Sequence, residues 1–421
     1  MYHYHCILIV CLLFFLYNCC GDTMKNRIFK KVTITPKAEK SVLLSHPWIY
    51  GEEILEKDEI TNGEIVDVLN SKGKYLGSGF YNDHSKITIR LLSRNTNDLF
   101  DYDFFKRRVQ YAYDLRKQTM GELNAFRLIY GEADGFPGLT VDKFNDILVT
   151  QTLSLGIEIR KDDIFKALIE VFQEDNISIR GIYERNDVEV RTLEGLDKYK
   201  GWYQNKEWDT KTTIIENDIQ YVVDFENGQK TGYFLDQKYN RLKVREFAKN
   251  KNVLDCCTHT GSFSMNAYLG GAKKVVALDV SEKALEDARK NFQMNHMKIE
   301  TVCSDVFDYL KSIEGKKLFD FIILDPPAFT KSRKTIKQAL KGYEELNYLG
   351  MKALPRGGIL VTASCSHFAS EELFKNAIFK ASLRANVSLK QIYSAGASPD
   401  HPELIGVPET KYLKFFIFQV V

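Results

Sequence analysis

The hydrophobic pattern of the chain changes twice. Across residues 28–94, apolar and polar positions alternate in short runs (KVTIT, GEIVDVLN, YLGSGFYN, KITIRLLS) broken by Gly and Asn. Period-two alternation, with turns at Asn62-Gly63 and Ser71-Lys72-Gly73, predicts a small all-β module. Apolar residues recur at helical spacing over 104–123, with Gly121 near the end, which predicts a helix. FRLIYGEADGFPGLTVDKFNDILVTQTL then reads as a strand, a Gly/Pro turn and two more strands. A helix near 161–173 and strands around IRGIYERND complete an α+β portion over about 100–215. From Ile219 the runs VLDCC, VVALD, FDFIILD and GGILVTAS are continuously apolar, each followed by a helix-like stretch. That alternation marks a doubly wound α/β sheet whose strands are buried on both faces.

At 421 residues the chain exceeds one ordinary core, so two or three domains are expected. Its 44% hydrophobic and 27% charged content excludes a disordered chain or a coiled coil. The 58 basic and 56 acidic residues nearly cancel, to +2, which neither announces nor excludes nucleic acid, because placement of charge decides binding. Four of the eight cysteines (Cys6, Cys11, Cys19, Cys20) precede residue 21; the others are Cys256, Cys257, Cys303 and Cys365. No CxxC or His/Cys spacing suits zinc, so no metal is expected and free thiols in a reducing cytosol fit best. The apolar run 6–17 has signal-peptide length, but MYHYH before it carries no Lys or Arg, and Leu16-Tyr17-Asn18 is a poor lipoprotein box before Cys19. A secretion signal, a lipid anchor and translated sequence upstream of a start at Met24 compete. The missing basic region favours the last, which implies a cytoplasmic protein. No other stretch has membrane-spanning length.

Open α/β sheets bind ligands beyond the carboxyl ends of their strands, so the residues there carry the chemistry. The first strand ends Asp255-Cys256-Cys257-Thr258-His259-Thr260-Gly261, where Gly261 would let backbone approach a ligand at a helix N-terminus. The loop is neither a dinucleotide GxGxxG nor a phosphate loop. Asp279 ends the second strand, about twenty residues on, and suits ribose hydroxyls. Ser304-Asp305 offers a carboxylate to an adenine amino group. Helix capping is the plain alternative for both acids. Together, in this order, they favour an adenosine-bearing ligand without pyrophosphate. The fourth strand gives Asp325-Pro326-Pro327-Ala328-Phe329, a stiff loop able to hold a planar base by stacking and an edge contact. Cys365 follows the fifth strand between two serines; a thiol at a cleft can ionise and attack, whereas most lone cysteines are inert core. Cys256 and Cys257 read as packing. Lys331, Arg333, Lys334, Lys337 and Lys341 form an acid-free run, either a solvated helix face or a set of phosphate contacts.

The segment NGQKTGYFLDQ (227–237) with Arg241, followed by DCCTHTGSF, LDV, SDVF, LDPPAF and TASCS, resembles the class I S-adenosylmethionine (SAM)-dependent 23S rRNA methyltransferases that make 5-methylcytosine. The closing ASPDHPELIGVPETKYLK is similar to the end of the same family, and the resemblance runs from about residue 24 to 421. It implies an RNA-binding PUA domain over 24–97, an α+β connecting domain over 98–215 and a Rossmann-like methyltransferase domain over 216–421, with 1–23 outside the pattern. It further implies that 255–263 line the methionine part of SAM, with Asp255, Thr258, His259, Thr260 and Gly261 as contacts. Asp279 would meet the ribose, and Ser304 and Asp305 the adenine. KTGYFLDQ, including Gln237, would cover the methionine end, braced by Arg241. Asp325 would sit beside cofactor and base, and Cys365 would be the nucleophile. Phe329, Lys331, Arg333 and Lys334 would contact RNA. The expected partner is 23S rRNA or an assembling large subunit, with no membrane; a homodimer is left open. The sequence departs from the family pattern at THTGS, where a second glycine is common, and at His367, where glycine is common.

Carbon 5 of cytosine is a poor nucleophile, so the expected mechanism adds the Cys365 thiolate to carbon 6, with Asp325 holding the base edge. The rival enzyme reading is methylation of a guanine or adenine nitrogen, which shares Asp-Pro-Pro loops and leaves Cys365 dispensable. A non-catalytic RNA-binding assembly factor is the rival of another class, and failure to bind cofactor would favour it. A small-molecule methyltransferase leaves the front module and the basic loop without a task.

Overall fold

The computed structural model describes residues 28–421 except Lys331, and the side chain of Asn205 is likewise outside the description. The expectations for 1–23 and Met24 fall outside the described residues. Among those described, no helix is long and apolar enough to cross a membrane.

The front module is a six-stranded sheet of β1 (Lys30–Ile34), β2 (Trp48–Tyr50), β3 (Ile54–Lys57), β4 (Ile65–Leu69), β5 (Tyr75–Tyr81) and β6 (Ile87–Ser93), in the order β2-β6-β5-β4-β1-β3. Only β1 and β4 pair in parallel. The all-β expectation needs correction, because helix α1 (Pro36–Leu43) packs Ala38 and Val42 into the core with Val32, Ile49 and Val66. Its signal was in the sequence: Pro36 stands at the first helical position and the Thr35 hydroxyl accepts from Ala38 N at 3.3 Å.

The central layer holds α2 (Tyr102–Thr119), β7 (Ala125–Tyr130), β8 (Leu139–Phe144), β9 (Ile147–Thr152), α3 (Leu155–Glu174), β10 (Gly181–Asn186) and β11 (Tyr199–Trp202). Its sheet runs β11-β10-β9-β8-β7, with β9 and β10 parallel around the α3 crossover. One face packs on α2 and α3 through Phe105, Val109, Leu128, Val141 and Phe165. The other face meets the hairpin β12 (Lys211–Glu216)–β13 (Ile219–Asp224), whose Ile214, Tyr221 and Val223 share a cluster with Phe144, Tyr183 and Phe292. The hairpin thus wedges the central layer against the last sheet.

That last sheet contains β14 (Asn252–Cys256), β15 (Lys274–Asp279), β16 (Glu300–Cys303), β17 (Phe321–Leu324), β18 (Ile359–Ser364), β19 (Leu389–Ala395) and β20 (Lys414–Val420). The order is β16-β15-β14-β17-β18-β20-β19, the first five parallel and β20 antiparallel to both neighbours. Helices α4 (Lys238–Phe247), α5 (Ser262–Leu269), α6 (Glu282–Met294), α7 (Val306–Ser312), α8 (Ile336–Ala353) and α9 (Glu371–Ala385) cover it. Alternate strand residues feed two cores: Leu254, Val276, Ile322 and Leu360 on one face, and Val253, Val275, Ile323 and Val361 on the other. Burial on both faces is why these strands read as unbroken apolar runs. It also leaves the carboxyl ends of the parallel strands as the edge where polar groups gather.

Candidate active site

The loop after β14 is backbone under tension. Cys257, His259 and Gly261 all have positive φ, at 62°, 51° and 83°. A non-glycine residue pays roughly 1–3 kcal/mol for that conformation and keeps it only when its surroundings insist. Here they do. The buried Asp255 carboxylate accepts from Thr258 Oγ1 at 2.6 Å and from Ser264 N and Oγ at 3.0 and 2.7 Å. Asp279 at the end of β15 accepts from His259 N and Ser281 N, each at 2.9 Å. Asn291 of α6 donates to the Thr260 carbonyl at 3.1 Å. A Cβ at Gly261 would stand 2.3 Å from a Phe292 ring carbon, so the glycine also seats that ring against the left-handed turn. Cys256 is core as expected, and Cys257 is half-buried, its thiol raised by burial and by the charges of Asp279, Asp325, Asp255 and Asp305.

Asp305 does cap a helix, with Oδ1 accepting from Phe307 N and Asp308 N at 2.8 and 3.2 Å, while the carboxylate stays exposed at the same edge. Ser304 N donates to the Asp279 carbonyl at 3.0 Å, joining the loops after β15 and β16. The acids at 279 and 305 therefore hold loop geometry and still line one rim.

Residues 229–237 cross this rim, and their anchors come from far away in sequence. Arg241, on α4, pairs with Glu216 at 2.6 Å, donates to the Phe234 carbonyl and lies 4.7 Å over the Tyr233 ring. Tyr233 Oη donates to the same Glu216 oxygen at 3.1 Å. Thr231 Oγ1 donates to Asp142 at 2.5 Å, and Asp142 is gripped by two 2.8 Å bonds from Arg127 of the central layer. Glu216, Asp142 and Arg127 were not singled out from the sequence; each lies on another element, and no local motif marks it.

Gln237 Nε2 donates to Asp325 Oδ2 at 3.2 Å, and Asn240 Nδ2 donates to Gln237 Oε1 at 2.6 Å. The second bond fixes which end of the Gln237 amide faces Asp325. Burial, then the charges of Asp236 and Asp255, push Asp325 up to about 7 against Arg241 and the Gln237 bond. Burial alone would also raise Asp236, but Lys230, His401 and the Tyr412 hydroxyl outweigh it and hold it down to about 2.

Cys365 leaves the same edge as Asp325, because β17 and β18 run parallel with Leu324 opposite Thr362. The serines flanking Cys365 are pinned to one hydroxyl: Ser364 Oγ donates to Tyr343 Oη at 3.0 Å, and Ser366 Oγ lies 2.8 Å from it. Burial, then the Asp325 charge, pushes the Cys365 thiol up to about 11, with Lys230 pulling the other way. The two residues expected to share a base therefore act on each other electrostatically. His367 is exposed and packs on Phe368, so its departure from the family pattern touches neither group. Phe329 rests on Tyr343, with ring centroids 4.6 Å apart, and against Gly342, so part of its ring seats the loop. Arg333, Lys334, Lys337 and Lys341 are exposed, and among the described residues none of them forms an ion pair. Lys331 lies outside the described residues.

This edge suits a cationic ligand. Asp236, Asp255 and Asp325 converge, and Oδ1 of both Asp236 and Asp255 is buried with no hydrogen-bond donor. A sulfonium bearing an ammonium group supplies the charge and the donors that such acids lack.

Residues 195–415 match the model of the S-adenosylmethionine-dependent methyltransferases, and 32–94 match a PUA-like domain. The ribosomal RNA large subunit methyltransferase I of Alteromonas mediterranea is 37% identical, over 93% of this chain and 98% of that protein. The chain belongs to the ribosomal RNA large subunit methyltransferase I family. The Klebsiella pneumoniae member is 35% identical over 94% of this chain and all of the relative. Two solved structures share the fold at 23% identity, each covering 93% of this chain and 100% of the other. One is described as a SAM-dependent methyltransferase from Streptococcus mutans (TM-score 0.77), the other as a methyltransferase complexed with S-adenosylhomocysteine (TM-score 0.78). A methyltransferase I family member is an enzyme whose cofactor is SAM, and the front sheet is its PUA-like domain.

Proposed function

We propose that the chain methylates carbon 5 of a cytosine in 23S rRNA, with Cys365 as nucleophile and Asp325 as the acid that holds the base. The observation that carries this reading is the parallel register of β17 and β18, which sends Asp325 and Cys365 off one sheet edge within electrostatic reach of each other. Asp255, Thr258–Gly261, Asp279, Ser304, Asp305, Gln237 and the segment braced by Arg241 would hold SAM, which when bound would supply an electrophilic methyl group. Cys365 adds as thiolate to carbon 6 of the cytosine and makes carbon 5 enamine-like, the nucleophile that such a methyl group requires. Asp325, kept protonated near neutrality by burial and two neighbouring acids, donates to the ring nitrogen and relieves the charge that builds there. Methylation of carbon 5 breaks the methyl–sulfonium bond and leaves a neutral thioether; loss of the carbon 5 proton to water, expulsion of the thiolate and return of the ring-nitrogen proton to Asp325 then restore the ring and the enzyme. The base must leave its stack to reach this edge, and the unpaired cations from Arg333 to Lys341, with the PUA-like module, suit the phosphates of a flanking RNA strand. The domain division at about residues 97 and 215, and a cytoplasmic setting, belong to the same reading. Mass spectrometry of rRNA nucleosides from cells with and without the gene tests it: one 5-methylcytosine disappears in the deletion. A deletion that instead loses a purine methylated on nitrogen leaves nitrogen methylation as the better account, and a Cys365→Ala protein that restores the 5-methylcytosine in full removes Cys365 as the nucleophile.

A further inference from the structure

Lys414 is a cation buried beside the nucleophile, with no role in the chemistry so far described. It opens β20 and stands directly opposite Ser364, the residue before Cys365. Its Nζ donates to the carbonyl of Ser366, the residue after Cys365, at 2.7 Å, and to the Tyr412 carbonyl at 2.7 Å. Only 4% exposed, it forms no ion pair among the described residues. A buried ammonium held by two neutral carbonyls is costly unless an anion arises within reach. We infer that Lys414 is the counter-charge of the Cys365 thiolate, a positioning residue that is tied to both neighbours of the nucleophile and favours its ionised form.

The surroundings of the pair fit this arrangement. Facing the sulfur are Asp325 from the β17 loop and Asp236 from the 229–237 segment, which oppose ionisation, Lys230, which favours it, and the Tyr343 hydroxyl of α8. Facing the ammonium are Cys365 and, from α9, Glu371. Burial lowers Lys414, and Glu371, joined by Cys365 once it ionises, supports its charge. A thiol among carboxylates needs a fixed cation close by if it is to attack at neutral pH. Lys230 is exposed and lies on a segment that must admit the cofactor, whereas Lys414 is locked in the sheet.

The inference rests on Cys365 being the nucleophile, and the test separates the two. Iodoacetamide alkylation of Cys365 in the full-length protein, followed by mass spectrometry of its peptide from about pH 6 to about 9, gives the thiolate reactivity without any turnover. Lys414→Met and Lys414→Gln slow that alkylation about tenfold near neutrality, where Lys414 carries its charge, and Lys414→Arg keeps the wild-type rate. Single-turnover methylation falls about tenfold in the two neutral variants near pH 7.5, and the deficit closes as pH rises. SAM binding by calorimetry shows which variants keep the fold; should Lys414→Met lose it, the Gln and Arg variants carry the comparison. An unchanged alkylation rate near neutrality in a neutral variant that binds SAM, or a methylation deficit equal at every pH, overturns the inference. Full methylation by Cys365→Ala instead overturns the nucleophile assignment and leaves the alkylation result standing.

Discussion

Replacing Glu216 by Gln strands the Arg241 guanidinium in the interior. The two side chains are 0% and 2% exposed and 2.6 Å apart, so water cannot take over the lost contact. With charge centres about 4 Å apart and an effective dielectric near 20, the lost attraction is about 4 kcal/mol, in line with the roughly 3–5 kcal/mol seen when one partner of a buried pair is removed. Gln keeps one acceptor for Arg241 and for Tyr233 Oη, which argues for about 3 kcal/mol. For a folding unit of this size that is a fall in melting temperature of about 6–12 °C. Because Arg241 also donates to the Phe234 carbonyl, the loosened 229–237 segment should weaken SAM binding about tenfold as well. The assay is a thermal melt with SAM calorimetry on Glu216→Gln, Arg241→Met and the double variant. The double variant should lose less than the two singles together, since removing both charges leaves none uncompensated. Single variants within about 1 °C of wild type, or strictly additive losses, would falsify the claim that this pair anchors the segment.

Gly261→Ala meets both a left-handed backbone and the Phe292 ring, so it should cost about 2–4 kcal/mol and at least tenfold in SAM affinity; an unaffected Kd would mean the loop is not the cofactor's. Asp325→Asn should move two readouts in opposite directions. Removing the charge that lifts the thiol speeds alkylation of Cys365, while methylation falls by about 100-fold for want of the acid. Asp325, raised to about 7, and Asp255, raised to about 6, hold protons that the unfolded chain releases near pH 4. Their contribution to stability is therefore present below about pH 4 and lost as pH rises through 6 to 7, so the melting temperature should fall over that window and fall less in Asp325→Asn. Reversing both Arg333 and Lys334 to Glu should reduce the salt dependence of RNA binding by about two counterions, as read from affinity against log salt, and leave the SAM Kd unchanged.

The strands of the last sheet were legible because burial on both faces writes an unbroken apolar run, and the site acids because the fold sends strand ends to one edge. Asp279, Asp305, Asp325 and Cys365 all stand on that edge. Local grammar missed α1, where eight residues between two strands were too short to register as a period although Thr35 and Pro36 announced it. It did not show that Gly261 also makes room for a ring, since that ring comes from Phe292 on another helix. It was silent on Glu216, Asp142 and Lys414, each of which acts through a partner on another element. Such pairings are made by packing and leave no spacing to read.

The most direct measurement is covalent trapping of the enzyme on an RNA substrate carrying 5-fluorocytosine at the target position, with SAM present. Fluorine at carbon 5 blocks the proton loss that frees the enzyme, so a nucleophile added to carbon 6 stays attached. Digestion and mass spectrometry should find the nucleotide on the Cys365 peptide in wild type and nowhere in Cys365→Ser. Methyl transfer without any adduct, or an adduct on a different residue, would contradict the assignment.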